Sequence, residues 1–350
     1  MRSLTGVKLL LALAVTGAVR AVAQEAVQTE PGGTPVKKKV EIAKEDFRGW
    51  ANTYRIGNGV VEARVVTDVG PRIVDFRLAG GENVLHVRDK EAGKSGESKW
   101  MFRGGWRLWV APEKKETTYA LDNSPCEVQA EREKITVTGP PQPEAGIQKI
   151  VELSMRPGES ALHVKSRIKN VSDQPRTYAP WSLPVLRPGG RAFLPLDVGP
   201  LTAFDSIRRI ILWSYTEIAD PRYRFADRLV TIDHARVKPA DAEQTGRRDD
   251  ESKIGVDSAR GWQAYLLGGT LFLKRFPHDP QGQYPDGGAT MEVYSSAEFL
   301  ELEHLGPLTT IAPGAEIAFE EHWWLFAGAE IPPGEEEALS ALQKYMQLSK

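Results

Sequence analysis

Residues 297–326 read AEFLELEHLGPLTTIAPGAEIAFEEHWWLF, and the fold turns on how this stretch is read. Its first part alternates: Phe299, Glu301 and Glu303 fall on one face of a strand, and Leu300, Leu302 and Leu305 begin the other. Gly306-Pro307 stops that strand, Pro313-Gly314 makes a turn, and a second strand is predicted over Glu316–Phe326. A strand that packs one face against a core can hold two carboxylates toward a common cleft on the other. The rest of the chain then reads as scaffold for that pair, or as the opposite wall.

Working outward, the same period of two recurs. Thr53–Ile56 and Val60–Val66 flank Gly57-Asn58-Gly59 as a hairpin, and Arg72–Leu78 turns at Gly80-Gly81 into Asn83–Val87. Strand-length runs follow at Glu127–Glu131, Lys134–Thr138, Gln148–Met155 and Ala161–Asn170, and Trp262–Leu267 pairs with Thr270–Phe276 around Gly268-Gly269. Tyr178–Pro195 holds four prolines and reads as a connection between strands, and the polar Asp241–Lys253 reads as a surface loop. The pattern leaves Phe204–Ile218 and Val230–Ile232 open between strand and short helical turn. Turns this tight leave no room for crossover helices, so the sheets are antiparallel. Leu339, Leu342, Tyr345 and Met346 carry helical spacing within about 335–348, behind an acidic first turn. The expected fold is all-β: one large antiparallel β-sandwich domain over 47–350 with a C-terminal helix, after a flexible leader at 24–46.

Ahead of that leader, Arg2 and Lys8 flank the start of an apolar run, Leu9–Val19, and Ala21-Val22-Ala23 follows as a cleavage signal. This predicts a signal peptide over 1–23 and export, periplasmic or extracellular, after cleavage near Ala23. No apolar run reaches the roughly 20 residues a membrane span needs. The single cysteine, Cys126, allows no internal disulfide, so a core must hold the fold. Loss of Arg2, Lys8 and Arg20 moves the formal charge from −2 to about −5, and no basic stripe is present. That balance argues against nucleic acid or an anionic membrane as partner.

Six scattered histidines and one cysteine offer no zinc spacing, Asp249-Asp250-Glu251 lacks the alternating oxygens of a calcium loop, and no glycine-rich phosphate cradle precedes a helix. No metal or cofactor is therefore expected. No G-x-S-x-G nucleophile motif occurs. What remains is carboxylates with aromatics, the pairing that reads sugar hydroxyls and sugar faces. Each of the nine tryptophans taken singly reads as core. The run Trp106-Arg107-Leu108-Trp109 is more informative, because alternation puts Arg107 and Trp109 on one face and Trp106 and Leu108 on the other. The candidate binding set is Arg72, Arg107, Trp109, Glu113, Trp181, Lys253, Lys274, Asp286 and Glu292, beside Glu301 and Glu303. The expected partner is a small or oligomeric carbohydrate.

Several motifs together resemble a known superfamily. Gly57-Asn58-Gly59-Val60 through Gly70-Pro71-Arg72-Ile73 resembles the opening hairpins of galactose mutarotase-like (aldose 1-epimerase-like) proteins. Leu300-Glu301-Leu302-Glu303-His304, followed by Pro313-Gly314, resembles their late strand, whose glutamate is the catalytic base. Gly104–Trp109 with Ala111-Pro112-Glu113, Tyr284-Pro285-Asp286-Gly287-Gly288 and Glu301–Leu308 are similar to a branch of exported bacterial proteins. The resemblance covers roughly Tyr54 to Phe326. It implies a β-supersandwich with a sugar site on the concave face of the larger sheet. In the mutarotases a glutamate takes the anomeric hydroxyl proton while a histidine protonates the ring oxygen. The base matches Glu301, with Glu303 as competitor, and Arg107 matches an arginine that holds a sugar hydroxyl. The histidines do not carry over: Trp106 and Trp181-Ser182 stand where they are expected. Lys253, Lys274 or Tyr284 is left as proton donor, or one of two repelling carboxylates with a raised pKa. His304 points away from both glutamates.

Three readings follow: a carbohydrate-binding protein of this fold, an epimerase-like enzyme with Glu301 or Glu303 as base, and a protein-interaction module.

Overall fold

The computed structural model describes residues 39–199, 204, 206–238 and 250–349. The signal peptide and all but the end of the leader lie outside the described residues.

Two antiparallel sheets face each other. The larger has 11 strands and runs Glu41–Phe47, Trp50–Gly57, Val61–Val66, Arg72–Leu78, Trp106–Ala111, Arg176–Leu186, Leu300–Leu305, Met291–Ser295, Ser252–Asp257, Arg209–Leu212, with Thr309–Ile311 pairing the start of Arg176–Leu186. The second has 10 strands and runs from Tyr223–Phe225 and Leu229–Asp233 through Arg191–Pro195, Trp262–Leu267, Thr270–Arg275, Glu316–Phe326 and Ala161–Asn170 to Ile147–Ser154, Lys134–Thr138 and Glu127–Ala130. Inward-facing residues of both fill one core, in which Phe76, Phe272 and Trp323 meet edge to face with centroids 5.4–6.1 Å apart. Full burial of each such ring is worth about 1.5–3 kcal/mol. The only α-helix among the described residues, Glu335–Leu348, buries Ala338 and Leu342 against Trp262, Leu271 and Leu273 on the outer side of the second sheet. An all-β antiparallel sandwich with a C-terminal helix is thus the observed fold.

Four expectations need correction. The sheet begins inside the span read as a leader: Glu41–Phe47 pairs with Trp50–Gly57 across Arg48-Gly49, both with left-handed φ (55° and 92°). A two-residue turn of that kind suits the twist of a hairpin. Asn83–Val87 is not a strand and makes only isolated bridges at Leu85 and Val87. The polar span ending at Lys253 is not loop at its end, since Ser252–Asp257 is a strand with Lys253 buried in it. Lastly, Tyr178–Pro195 is not a mere connection: Arg176–Leu186 is a central strand of the larger sheet. The two open segments resolve in part into strands Arg209–Leu212 and Leu229–Asp233.

Two prolines inside a central strand need a physical account, because each lacks a ladder donor. The Gly306 N–H donates to the Pro180 carbonyl at 2.8 Å, and Ser182 pairs with His304. Hydrogen-bonded pairs recur at every second residue, so Pro184 stands where the Leu302 carbonyl would find its N–H. The ladder is interrupted there. Lys274, inward-facing on the second sheet, supplies the donor: its Nζ reaches the Leu302 carbonyl at 2.6 Å. Gln263 Nε2 likewise donates to the Glu303 carbonyl at 2.7 Å. Burial pushes the Lys274 amine down to about 8, against the attraction of Glu321 and Glu303. Lys274→Met keeps the bulk but removes the donor and the cation 3.9 Å from Glu321. We expect it to cost about 3 kcal/mol in urea unfolding; parental stability would show the bond to be dispensable.

Candidate functional site

The period of two decides what reaches the outer face of the larger sheet. Trp106, Leu108 and Val110 go to the core, while Arg107, Trp109 and Ala111 face away from the second sheet. Across the ladder Leu183 sits beside Arg107 and Trp181 beside Trp109. On the Leu300–Leu305 strand, Leu300, Leu302 and His304 turn inward and Glu301, Glu303 and Leu305 outward. Leu305 therefore shares the face of the glutamates, packed with Trp109 and Trp181, rather than the leucine face. His304 is held in the core between the rings of Phe276 and Phe319, and burial lowers its pKa well below the usual value.

On this outer face lies a cavity of about 250 Å³. Arg107 is its pivot. The guanidinium lies 4.1 Å from the Trp109 ring centre, 5.3 Å from Phe102 and 5.7 Å from Trp100, and its Nη2 donates to Glu301 Oε1 at 2.9 Å. Its Nε and Nη1 are buried and have no hydrogen-bond partner. Trp109, Tyr119 and Trp181 line one wall with Trp100, their neighbouring ring centres 4.8–5.4 Å apart. Tyr215, Tyr294 and Phe299 line the other side. Burial raises the Glu301 pKa, and neighbouring Glu303 adds to the rise while Arg107 opposes it.

Behind the cavity runs a second chain of charges. Lys253 Nζ stands 2.6 Å from Glu292 Oε2 and donates to Glu303 Oε2 at 3.1 Å, and the Trp181 Nε1 donates to that same oxygen at 2.8 Å. Burial disfavours the ammonium, but Glu303 and Glu292 outweigh it and hold its proton tightly. Glu292 is pushed well up by burial, then by Glu303 and Asp286, against the pull of Lys253. The Asp286 pKa is also raised by burial, against the pull of Lys253.

The Trp100–Gly104 segment is posted over the cavity by a bracket of buried groups. Arg72 donates to the carbonyls of Phe102 (3.0 Å) and Gly104 (2.7 Å) and pairs with Asp122 at 2.8 Å. Arg103 binds Asn123 and Glu97, and Asn123 returns hydrogen bonds to the Glu97 and Lys99 carbonyls. Gly104 and Gly105 make the approach possible: both have left-handed φ, and a Cβ would stand 2.3 Å from the His86 carbonyl oxygen or 2.4 Å from that of Ile73.

The structure thus brings Arg107, Trp109, Glu113, Trp181, Lys253 and Glu301 to the cavity wall. Glu303 and Glu292 lie just behind, joined through Lys253, with Asp286 near enough for its charge to raise the Glu292 pKa. Arg72 belongs to the bracket. Lys274 does not reach the cavity, because it faces the gap between the sheets. Tyr284 sits in another depression beside His278, so of the three donors considered in place of histidine only Lys253 lines the cavity. Sequence reasoning did not assign Trp100, Phe102, Tyr119, Tyr215, Tyr294 or Phe299 to the site. For Tyr294 a register signal existed, since it pairs with both Glu301 and Lys253. Among the described residues no group of three or more His, Cys, Asp or Glu side chains is arranged to hold a metal ion, and no helix is long and apolar enough to cross a membrane.

Comparison with solved structures gives the fold a name. A candidate aldose 1-epimerase from Klebsiella pneumoniae superposes with a TM-score of 0.53 at 13% identity, over 90% of this chain and 89% of that one. The Slr1438 protein of Synechocystis sp. PCC 6803 matches with a TM-score of 0.50 at 11% identity, over 85% of this chain and 99% of its own. A galactose mutarotase-like protein from Clostridium acetobutylicum matches with a TM-score of 0.50 at 9% identity, over 83% and 99%. At these identities the likeness is one of fold. No curated protein matches the sequence. One family model, described as Domain of unknown function (DUF4380), matches residues 117–326, more than half of the chain, and the chain belongs to that family.

Proposed function

We propose that the chain binds a carbohydrate in the Arg107–Glu301 cavity. One observation carries this reading: a guanidinium stacked on indole and paired with a carboxylate lines a cavity walled by aromatic rings. A hydroxyl placed between Arg107 and Glu301 makes charge-assisted hydrogen bonds, each worth about 1.5–3 kcal/mol. Sugar hydroxyls offer such oxygens, and sugar C–H faces suit Trp100, Trp109 and Trp181. A volume of about 250 Å³ fits a single ring, with further units of an oligosaccharide outside. Calorimetry against a broad panel of mono- and oligosaccharides tests this. At least one sugar should bind, and Glu301→Gln should weaken it by about 10–100-fold, as loss of a charged hydrogen bond implies. No heat with any member of the panel would end the reading.

A second reading has support from Glu301 itself. A buried cavity carboxylate with a raised pKa supports a general-base role in aldose 1-epimerase-like chemistry. Glu303, tied to Trp181 and Lys253, supports it from behind. No histidine is among the cavity-lining residues, and Lys253 holds its proton too tightly to be a ready acid. A base must be ionised to act, so any mutarotation rate should rise with pH through a midpoint above the ordinary carboxylate range and vanish in Glu301→Gln. Polarimetry of freshly dissolved aldoses decides, and a rate unchanged by the protein removes this reading. Export belongs to the proposal too, supported by Leu9–Val19 and Ala21-Val22-Ala23. N-terminal sequencing of protein from the cell envelope or medium should begin at Gln24.

A further inference from the structure

The outer face of the second sheet carries a larger depression, of about 760 Å³, built from different chemistry. Arg275, His322 and His163 are consecutive partners across three neighbouring strands, Thr270–Arg275, Glu316–Phe326 and Ala161–Asn170. The two imidazoles are 4.0 Å apart, and His322 stacks on Trp324 at 5.8 Å. Arg156 and Arg260 complete the rim, with His278 beside them and Glu159 as the one carboxylate of the lining among the described residues. Three guanidiniums on one depression stand out on a chain whose formal charge is −2. At the Arg107 cavity, by contrast, acidic and basic groups alternate.

The present partners of these arginines leave them available. Arg156 meets Glu159 at 3.6 Å and Arg260 meets Asp197 at 3.3 Å, with all four side chains well exposed except the half-buried Asp197. Exposed pairs of this kind contribute about 0–1 kcal/mol, so an oxyanion can replace them at little cost. Arg275 is different: its Nη1 donates to the Ser349 carbonyl at 3.1 Å, which anchors it at the end of the C-terminal helix. Both histidine pKa values are lowered. For His163 the causes are burial, then His322 and Arg156, with Glu159 and Glu320 opposing; for His322 they are burial, Arg275 and Arg156, with Glu320 opposing. Arranged in this way, two imidazoles and three guanidiniums present donors to a common space, beside an indole face that suits a ring.

We propose that this depression is a second binding site, for a ligand that carries an oxyanion group (carboxylate, sulfate or phosphate) on a ring. Guanidinium forks match the planar or tetrahedral oxygens, Trp324 takes the ring, and His163 and His322 read the same anion from the floor. By linkage, an anion bound there raises the protonation midpoints of both imidazoles.

The test uses the full chain with four probes at constant ionic strength: glucuronate, inorganic sulfate, inorganic phosphate, and glucose as the neutral control. Calorimetry is paired with NMR titration of the imidazole protons. Saturable binding of glucuronate is expected, with upward shifts in the His163 and His322 midpoints. In the Arg156→Gln/Arg260→Gln double variant that binding should be at least tenfold weaker, while any sugar binding at the Arg107 cavity is kept. Sulfate or phosphate binding as well as glucuronate would support the site and show that the oxyanion alone is read. The proposal is overturned if none of the three anions saturates, if glucose shifts the His163 and His322 midpoints equally, or if glucuronate binding to the double variant matches that to the parent.

Discussion

Both faces of the Leu300–Leu305 strand are buried, and both carry charge; most of the molecule is arranged around that constraint. On the outer face Glu301 meets Arg107, and Glu303 meets Lys253 and Trp181. On the inner face the Leu302 carbonyl takes a hydrogen bond from Lys274, which also stands near Glu321. Taking ions out of water costs several kcal/mol each, and their mutual attraction repays this only when the remaining hydrogen bonds are made. On the inner face Glu321 Oε1 accepts from Ser182 Oγ and Trp106 Nε1, while Glu321 Oε2 and both His304 ring nitrogens have no hydrogen-bond partner. The outer face likewise leaves Arg107 Nε and Nη1 unpaired. What sets the outer face apart is that its charged groups line a cavity.

The prolines sharpen this view. Pro184 removes one rung between the two strands that carry Trp181 and Glu301, and a side chain from the other sheet fills the gap. The two sheets are thereby tied by a polar link as well as by apolar packing. That link passes directly behind the cavity wall. A change in Lys274 acts on the strand that positions Glu301 and Glu303, although it touches nothing in the cavity.

Much of this was legible from alternation. The strand Glu316–Phe326, the hairpin around Gly268-Gly269 and the helix Glu335–Leu348 stand where their patterns place them. The outward placement of Arg107 and Trp109, and the inward placement of His304, follow from parity alone. Parity fails where a donor comes from outside the strand. Four prolines in Tyr178–Pro195 read as a connection because the compensating lysine is some 90 residues away by number. Lys274 itself looked like a sugar ligand because a lysine in an apolar strand has no local explanation; its partner is a carbonyl on the other sheet. Trp100 and Phe102 escaped assignment because they ride on a segment whose position is set by Arg72, Arg103 and Asn123, contacts without a periodic signature.

The two depressions lie on opposite faces of the sandwich and differ in electrostatic character. At the Arg107 cavity each cation has a carboxylate within hydrogen-bond or ion-pair distance, so the site is nearly balanced and suits a polar, uncharged ligand. On the second sheet Glu159 is, among the described residues, the single carboxylate of a lining with three arginines, and the imbalance suits an anion. One ligand holding both kinds of group cannot bridge the sites through the core. Occupancy of the two is therefore expected to be independent unless the sheets themselves move, and the Lys274–Leu302 link opposes such movement at the point where they approach behind the cavity.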